Sequence, residues 1–216
     1  AKAIRELKRD IEATVASNND RATEDGAGTA NALRGLGDWL DSAGPSDVPA
    51  TYRTPAASIE DVGTGPFLES ELNSMISSVF TVTGNTNSLM LVADVALRND
   101  ISEFARLDAA GAAGANVGVR SVNYDGNSGT IKLSVDLYQS DHGVVSIVNA
   151  NPDCMPTTNP VNYTGYLLNP EYYGVHELIP MGSTRLPNLG GGDRGFVDCA
   201  LTLGMYHPGA HGKITS

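Results

Sequence analysis

The fold of this chain is decided by its last third, which begins Tyr138-Gln-Ser-Asp141-His-Gly143-Val-Val-Ser-Ile147 and continues Leu167-Leu-Asn-Pro170-Glu-Tyr172-Tyr-Gly-Val175. Apolar residues then alternate with other residues through Val197, Cys199, Leu201, Leu203 and Met205. The types Asp, Asn, Gly and Pro form turns, and alternation is typical of a strand with one buried face. The stretch therefore predicts successive strands joined by tight turns. Nothing within it has the pattern of a reaction centre.

Upstream of this stretch, apolar residues at spacings of three and four predict helices. The first helix covers residues 2–17, with Ile4, Leu7, Ile11 and Val15 as its apolar stripe. A second helix is predicted to open at Pro66 and to end at Gly84, and a third to begin after Asp94 as N-cap. Strands are predicted over residues 88–93, 117–124, 131–138, 144–148, 163–168, 173–179 and 196–206.

Two long segments are predicted to be irregular. Residues 25–66 are rich in Gly, Ala, Ser, Thr and Pro, with order expected only over residues 33–40 and with Trp39 as the anchor. Residues 180–194 are interpreted as another Gly/Pro loop. Long irregular connections are unusual in compact domains and fit extended loops that reach a neighbouring molecule.

The composition limits the function classes. The chain has 216 residues and a mass of 22.6 kDa, and 41% of its residues are hydrophobic, which is enough for a packed core. The formal net charge of −11 predicts that the chain repels nucleic acid on average, although solubility explains that charge equally well. The sequence begins with Ala1 rather than Met, which suggests that an upstream segment is missing.

Catalytic and metal chemistry is only weakly supported. His207 and His211 are four residues apart, but Pro208 and Gly209 between them argue against a helical metal site. Cys154 and Cys199 give no disulfide framework; Cys199 is interpreted as a buried hydrophobe and Cys154 as part of a loop. We expect no catalytic residue, no cofactor and no metal.

Several short motifs occur in an order that resembles one family. They are Ile4-Arg-Glu-Leu7-Lys8-Arg9-Asp10-Ile11-Glu12, Gly35-Leu36-Gly37-Asp38-Trp39-Leu40, Thr83-Gly84 before Leu89-Met-Leu-Val92, Ser140-Asp141-His142-Gly143, Leu168-Asn169-Pro170-Glu171-Tyr172, and Gly192-Asp193 before Leu201-Thr-Leu203. In this order they resemble the SU10-like major head proteins, a group of tailed-phage major capsid proteins. Gly190-Gly-Gly192-Asp193 departs from the Thr-Gly-Asp that the family tends to have.

The resemblance implies an α+β fold of the HK97 type, with a spine helix, a peripheral domain and an axial domain. Residues 1–65 would hold the end of the spine helix and a connecting loop of the peripheral domain. Residues 66–160 would form the axial domain, and residues 161–216 would return strands to the peripheral domain. The N-terminal arm and the extended loop of the family are expected to be absent from these residues, and with them any covalent crosslink.

The resemblance also implies a structural subunit of an icosahedral phage or prophage head, assembled in the bacterial host cytoplasm and located in the virion. The expected partners are copies of the same chain in hexamers and pentamers, and also decoration, scaffold or portal proteins. Sequence-specific nucleic-acid binding and membrane binding are not expected. The predicted contacts between subunits are made by the loop of residues 182–194 and by these side chains: Arg5, Arg9, Trp39, Arg185, Asp193 and Arg194.

Two other function classes stay open from the sequence. The first is a β-rich carbohydrate-binding or glycosidase-like module, with a carboxylate pair drawn from Glu69, Glu71, Glu171 and Glu177 and a wall of Tyr163, Tyr166, Tyr172 and Tyr173. The second is a tail or baseplate protein, which would form rings instead of a closed shell.

Overall fold

A computed structural model describes residues 2–63, 65–85, 88–104, 135–155, 164–187, 190 and 194–216, together with the backbone of residues 123–125 and 130–132. Helices and strands both occur, as expected for the predicted α+β class. The HK97-type arrangement stays a prediction. No helix in the described part of the chain is both long and apolar enough to cross a membrane.

The helices are α1 (Lys2–Ala16), α2 (Leu36–Trp39), α3 (Glu69–Thr83) and α4 (Val95–Glu103), and short 3₁₀ turns cover Ala50–Tyr52, Ala56–Ser58, Pro170–Tyr172 and Pro208–Ala210. The strands are β1 (Ile59–Asp61), β2 (Leu89–Ala93), β3 (Asn123–Asp125), β4 (Thr130–Lys132), β5 (Leu137–Ser140), β6 (Gly143–Asn149), β7 (Gly165–Leu168), β8 (Tyr173–Leu186), β9 (Arg194–Met205) and β10 (Gly212–Thr215).

Among the described residues, six strands form the main sheet in the order β1-β10-β7-β2-β6-β5. Strand β2 pairs parallel to β6 and antiparallel to β7, and β1 pairs parallel to β10. Strands β8 and β9 pair antiparallel with each other and form a separate long ribbon, and β3 pairs with β4. The main sheet takes strands from all three predicted segments of the chain, so the domain boundaries stay a prediction.

The main sheet separates two apolar cores because successive side chains of a strand point to opposite faces. On one face, Leu89, Leu91 and Ala93 pack with the buried stripes of α3 and α4. On the other face, Met90 and Val92 pack against a cluster that includes the end of α1 and the region around α2. Strand β2 is therefore covered on both faces, as the continuous run Leu-Met-Leu-Val predicts.

The helix predictions are confirmed, except that α3 begins later in the sequence than predicted. Helix α3 begins at Glu69 rather than at Pro66, because the carboxylate of Glu71 accepts the backbone N–H of Leu68 at 2.6 Å and closes the first turn there. The helix ends at Gly84, whose φ of 68° is the left-handed conformation that glycine favours. Asp94 caps α4 by accepting the backbone N–H of Leu97.

One strand prediction and two predictions of irregular structure are wrong in part. The predicted strand over residues 131–138 contributes to two different sheets, through β4 and β5, and residues 133–134 lie outside the described residues. The predicted loop over residues 180–194 is strand as far as Leu186, and Arg194 begins β9. The irregular segment 25–66 contains β1 as well as α2. Of the predicted strand over residues 117–124, the structure describes only Asn123 and Tyr124.

Candidate subunit interface

The ribbon of β8 and β9 is the most exposed element of the described structure. It runs for 14 residues in β8 and 12 in β9, and register shifts around Ile179 bend it. Leu178 is 85% exposed, and four further large apolar side chains on the ribbon expose between 42% and 52% of their surface: Val175, Ile179, Leu186 and Phe196. A two-stranded ribbon is only marginally stable in water, and exposed apolar patches mark contact sites.

The ribbon is attached to the main sheet through a buried histidine. The ring of His211 is fully buried, and its Nδ1 accepts the backbone N–H of Asn169 at 3.1 Å, immediately before the turn that leads into β8. The ring of Tyr173, the first residue of β8, packs edge-on against the imidazole. Burial lowers the pKa of His211 to about 4, with a smaller contribution from the nearby His207 against an opposing effect of the Tyr172 backbone.

We expect this histidine to make the fold acid-labile. In the unfolded chain His211 takes up its proton near pH 6.5, whereas in the folded chain it stays neutral down to about pH 4. The contribution of neutral His211 to the free energy of unfolding is therefore fully present above pH 6.5. It is lost as the pH falls from 6.5 to about 4, and the loss amounts to about 3 kcal/mol. Urea unfolding at pH 7.5 and pH 4 measures this loss.

The matched variants are His211→Asn, whose Oδ1 still accepts the Asn169 N–H, and His176→Asn on the exposed part of the ribbon. The stability of His211→Asn is expected to fall by about 3 kcal/mol less between the two pH values than that of the wild type. His176→Asn is expected to behave as the wild type does. Equal losses in all three proteins would contradict the assignment to His211.

A groove of about 550 Å³ runs between α1 and β9 and is closed at one side by the segment of residues 22–33. Ala22 and Ala32 pair across this segment in an antiparallel bridge. Eight of the twelve residues that line the groove are apolar, and the four polar ones are Asp10, Thr14, Asn31 and Thr202. We call it the α1–β9 groove, and its lining residues are Leu7, Asp10, Ile11, Thr14, Ala22, Asn31, Ala32, Leu33, Cys199, Ala200, Leu201 and Thr202.

The segment that borders the groove is held by Arg34, which is buried although it carries a charge. Its guanidinium donates to Asp20 at 2.8 and 3.1 Å and to Asp47 at 2.8 Å, and it lies over the ring of Trp39 at 4.8 Å. Asp38 lies 3.0 Å from Nε but receives no hydrogen bond, because that N–H is directed at Asp20. We call Arg34 and these three aspartates the Arg34 cluster.

The charges of the Arg34 cluster are tightly coupled. Hydrogen bonds from Arg34 lower the pKa of Asp20 and of Asp47. Burial raises the pKa of Asp38, and the neighbouring Asp20 carboxylate raises it further. Lys213, at the other end of the chain, joins the same region to β10 by donating to the backbone carbonyl of Gly37 at 2.9 Å. The cluster thus fixes the loop between α1 and β1 to the rest of the fold.

The residues predicted as contacts occupy different surroundings. Arg5 is exposed on α1, whereas Arg9 on the same helix lies 3.5 Å from Asp153 of its own chain. Trp39 packs within its own subunit, in the second core and under Arg34. Arg185 and Arg194 are exposed near the far end of the ribbon, and Asp193 lies outside the described residues. Their roles between subunits stay predictions.

Cys154 lies in a turn, as the sequence suggests, whereas Cys199 is less buried than the sequence suggests. Cys154 is buried, and its thiol lies 3.6 Å from the backbone carbonyl of Arg9. Cys199 is partly exposed and lines the α1–β9 groove, because β9 has α1 on only part of its surface. Both thiols are free, and burial raises the pKa of Cys154. Cys199 is therefore the more accessible thiol.

The described residues of the carbohydrate hypothesis are spread over several elements of the fold. Tyr166 is buried and donates its hydroxyl to the carbonyl of Ala16 at 2.7 Å, so its ring is not available for stacking. Glu69 and Glu71 lie in the first turn of α3, Glu171 in the turn before β8 and Glu177 on the ribbon. Tyr163 lies outside the described residues. Within the described part of the chain, no group of three or more His, Cys, Asp or Glu side chains is placed to hold a metal ion.

Comparison with known proteins agrees with the predicted resemblance. The family described as SU10 major capsid protein matches residues 1–216, the full length of the sequence. A search among curated proteins found no match.

Proposed function

The chain belongs to the family of SU10 major capsid proteins, and we propose that it assembles into the hexamers and pentamers of an icosahedral phage or prophage head that encloses DNA. Its role as a capsid protein of the virion is structural, and we propose no catalytic activity. Assembly would take place in the cytoplasm of the bacterial host, with decoration, scaffold or portal proteins as additional partners.

The observation that carries the proposal is the exposed ribbon. Five large apolar side chains on β8 and β9 are at least 42% exposed, and each would gain part of the about 1.5–3 kcal/mol that full burial of an exposed side chain of this kind provides. In a shell, every copy presents the same ribbon to its neighbours, and many small contacts add up to a stable particle. The net charge of −11 supports an inner wall that does not adhere to packaged DNA.

Sedimentation velocity of the complete gene product tests the proposal. Wild-type protein is expected to sediment as large particles, whereas Val175→Asp, which places a charge on the apolar surface of the ribbon, is expected to reduce particle yield by about tenfold or more. Ser70→Asp, in the exposed first turn of α3 where an acidic residue is tolerated, is the matched control and is expected to assemble normally.

Three outcomes would contradict the proposal. A wild-type protein that remains monomeric at all salt concentrations would remove the shell function. Rings of one size, with no closed particles, would instead favour the tail or baseplate alternative. Binding of oligosaccharides by the monomer would favour the carbohydrate alternative, against the burial of Tyr166.

A further inference from the structure

We propose that Leu178 of one subunit inserts into the α1–β9 groove of a second copy of this chain, so that neighbouring subunits join head to tail. The inference rests on the proposed shell function and names one contact within it. We call the exposed side chain of Leu178 the knob. The knob lies on β8 and the groove lies beside β9, so they are two different surfaces of the subunit. Contacts between two different surfaces of identical subunits are heterologous and close into rings when the rotation allows it.

The knob is unusual for its exposure. Leu178 exposes 85% of its surface, the largest fraction among the large apolar side chains of the described residues. It lies where the pairing of β8 with β9 shifts register between Glu177 and Ile179, and a bulge of this kind turns a side chain away from its strand partner. Ile179, also exposed, follows directly and would widen the knob.

The groove has the size and the lining that such a knob needs. At about 550 Å³ it lies in the range of pockets that hold small ligands, so it has room for Leu178 together with part of Ile179. Leu7, Ile11 and Leu201 provide apolar contacts, and small residues such as Ala32 and Ala200 leave the space open. Burying Leu178 there would remove the most exposed apolar side chain of the ribbon from water.

Charge supports the same orientation. Residues 2–9 of α1 contain four basic residues, Lys2, Arg5, Lys8 and Arg9, against one acidic residue, Glu6. On β8, Glu177 is the acidic residue, and it directly precedes Leu178 and is exposed. Docking the knob beside α1 would bring Glu177 towards this basic end of the helix, whereas Asp10 lies on the groove itself.

The native thiol of Cys199, which lines the groove, gives a direct test. A complete gene product carrying Leu178→Cys and Cys199→Ser is mixed with wild-type protein under assembly conditions and oxidised with copper–phenanthroline in air. The expected result is a disulfide between the introduced thiol at position 178 and Cys199 of the other chain, identified by mass spectrometry after non-reducing electrophoresis. The yield of this disulfide is expected to be at least ten times that of a disulfide from position 183, the control position on the same strand.

The control protein carries Ser183→Cys with Cys199→Ser, which places the thiol elsewhere on the same exposed strand. In a third mixture, the protein that supplies Cys199 also carries Thr202→Trp. This substitution enlarges an exposed residue of the groove lining so that it fills the groove, and Cys199 is kept. That substitution is expected to abolish the link. Equal linking from positions 178 and 183, or linking that survives Thr202→Trp, would overturn the proposed contact.

The outcomes separate this inference from the shell function. If wild-type protein forms shells and the mixture gives no 178–199 disulfide, the knob-and-groove contact is overturned and the shell function stands. If wild-type protein forms no particles and the mixture gives no disulfide, both are overturned. The link together with particles supports both.

Discussion

Replacing Arg34 by Met is expected to destabilise the protein by about 3 kcal/mol, the lower end of the range for breaking a buried ion pair. The guanidinium satisfies Asp20 and Asp47 and packs on the Trp39 ring, and without it the partly buried Asp38 carboxyl keeps no nearby cation from this cluster. The cost stays at the lower end because Asp20 and Asp47 are exposed enough to turn to water. Urea unfolding of the variant and the wild type at pH 7 measures this loss of stability.

Arg21→Met is the matched control for Arg34→Met. Arg21 lies 3.4 Å from the same Asp47 but is 62% exposed, so its loss is expected to cost less than about 1 kcal/mol. Arg34→Met is also expected to reduce particle yield, because the segment that it fixes borders the α1–β9 groove. Equal effects of the two substitutions would show that the cluster is merely a set of surface ion pairs.

Gly35→Ala is expected to destabilise the protein by about 3 kcal/mol, the upper end for overpacking. A Cβ at this position would lie 2.1 Å from the backbone oxygen of Ser17, which already accepts the N–H of Gly37 at 3.0 Å. Backbone atoms cannot rotate away as a side chain would, so the end of α1 and the start of α2 must separate. Thermal unfolding of the variant and the wild type measures the cost.

Gly44→Ala controls for the change of residue type in the same loop. A Cβ there would meet its nearest neighbour, the Cβ of Asp41, at 3.4 Å, which is an ordinary contact. This variant is expected to be as stable as the wild type or slightly more stable, because alanine restricts the unfolded chain. A loss in Gly44→Ala as large as that in Gly35→Ala would contradict the close-approach explanation.

Local sequence signals predicted the helices well because each signal has a local cause. The stripe of Leu72, Met75, Ile76 and Val79 is buried as its spacing indicates, and Gly84 and Asp94 end and begin their helices by local hydrogen bonding. These features need only residues that are close in the sequence. The family was predictable too, since the order of several short motifs persists along the chain.

The ribbon could not be predicted to its full length from the sequence. Pro180 and Gly182 are typical of a loop, but the register shift between Ile179 and Gly182 places Pro180 in a bulge, where the ladder does not require its N–H. Strand β8 is exposed over most of its length, and its apolar residues do not alternate as those of β9 do. Exposure of Leu178 became visible only in the structure.

The Arg34 cluster and the groove depend on contacts between distant parts of the chain. Asp20 and Asp47 lie 14 and 13 residues from Arg34, in a segment without helical or strand periodicity. The groove joins α1 to β9, which are nearly 190 residues apart in the sequence. No spacing rule connects such residues, although the types of Arg34 and its aspartates fit an ion cluster once they are brought together.

Cryo-electron microscopy of the particles formed by the complete gene product tests the central claim most directly. The account predicts closed icosahedral shells with capsomers of six and five subunits, in which the ribbon of β8 and β9 is covered by a neighbouring copy. Monomers whose ribbon remains exposed to solvent, or open tubes and rings without pentamers, would contradict it.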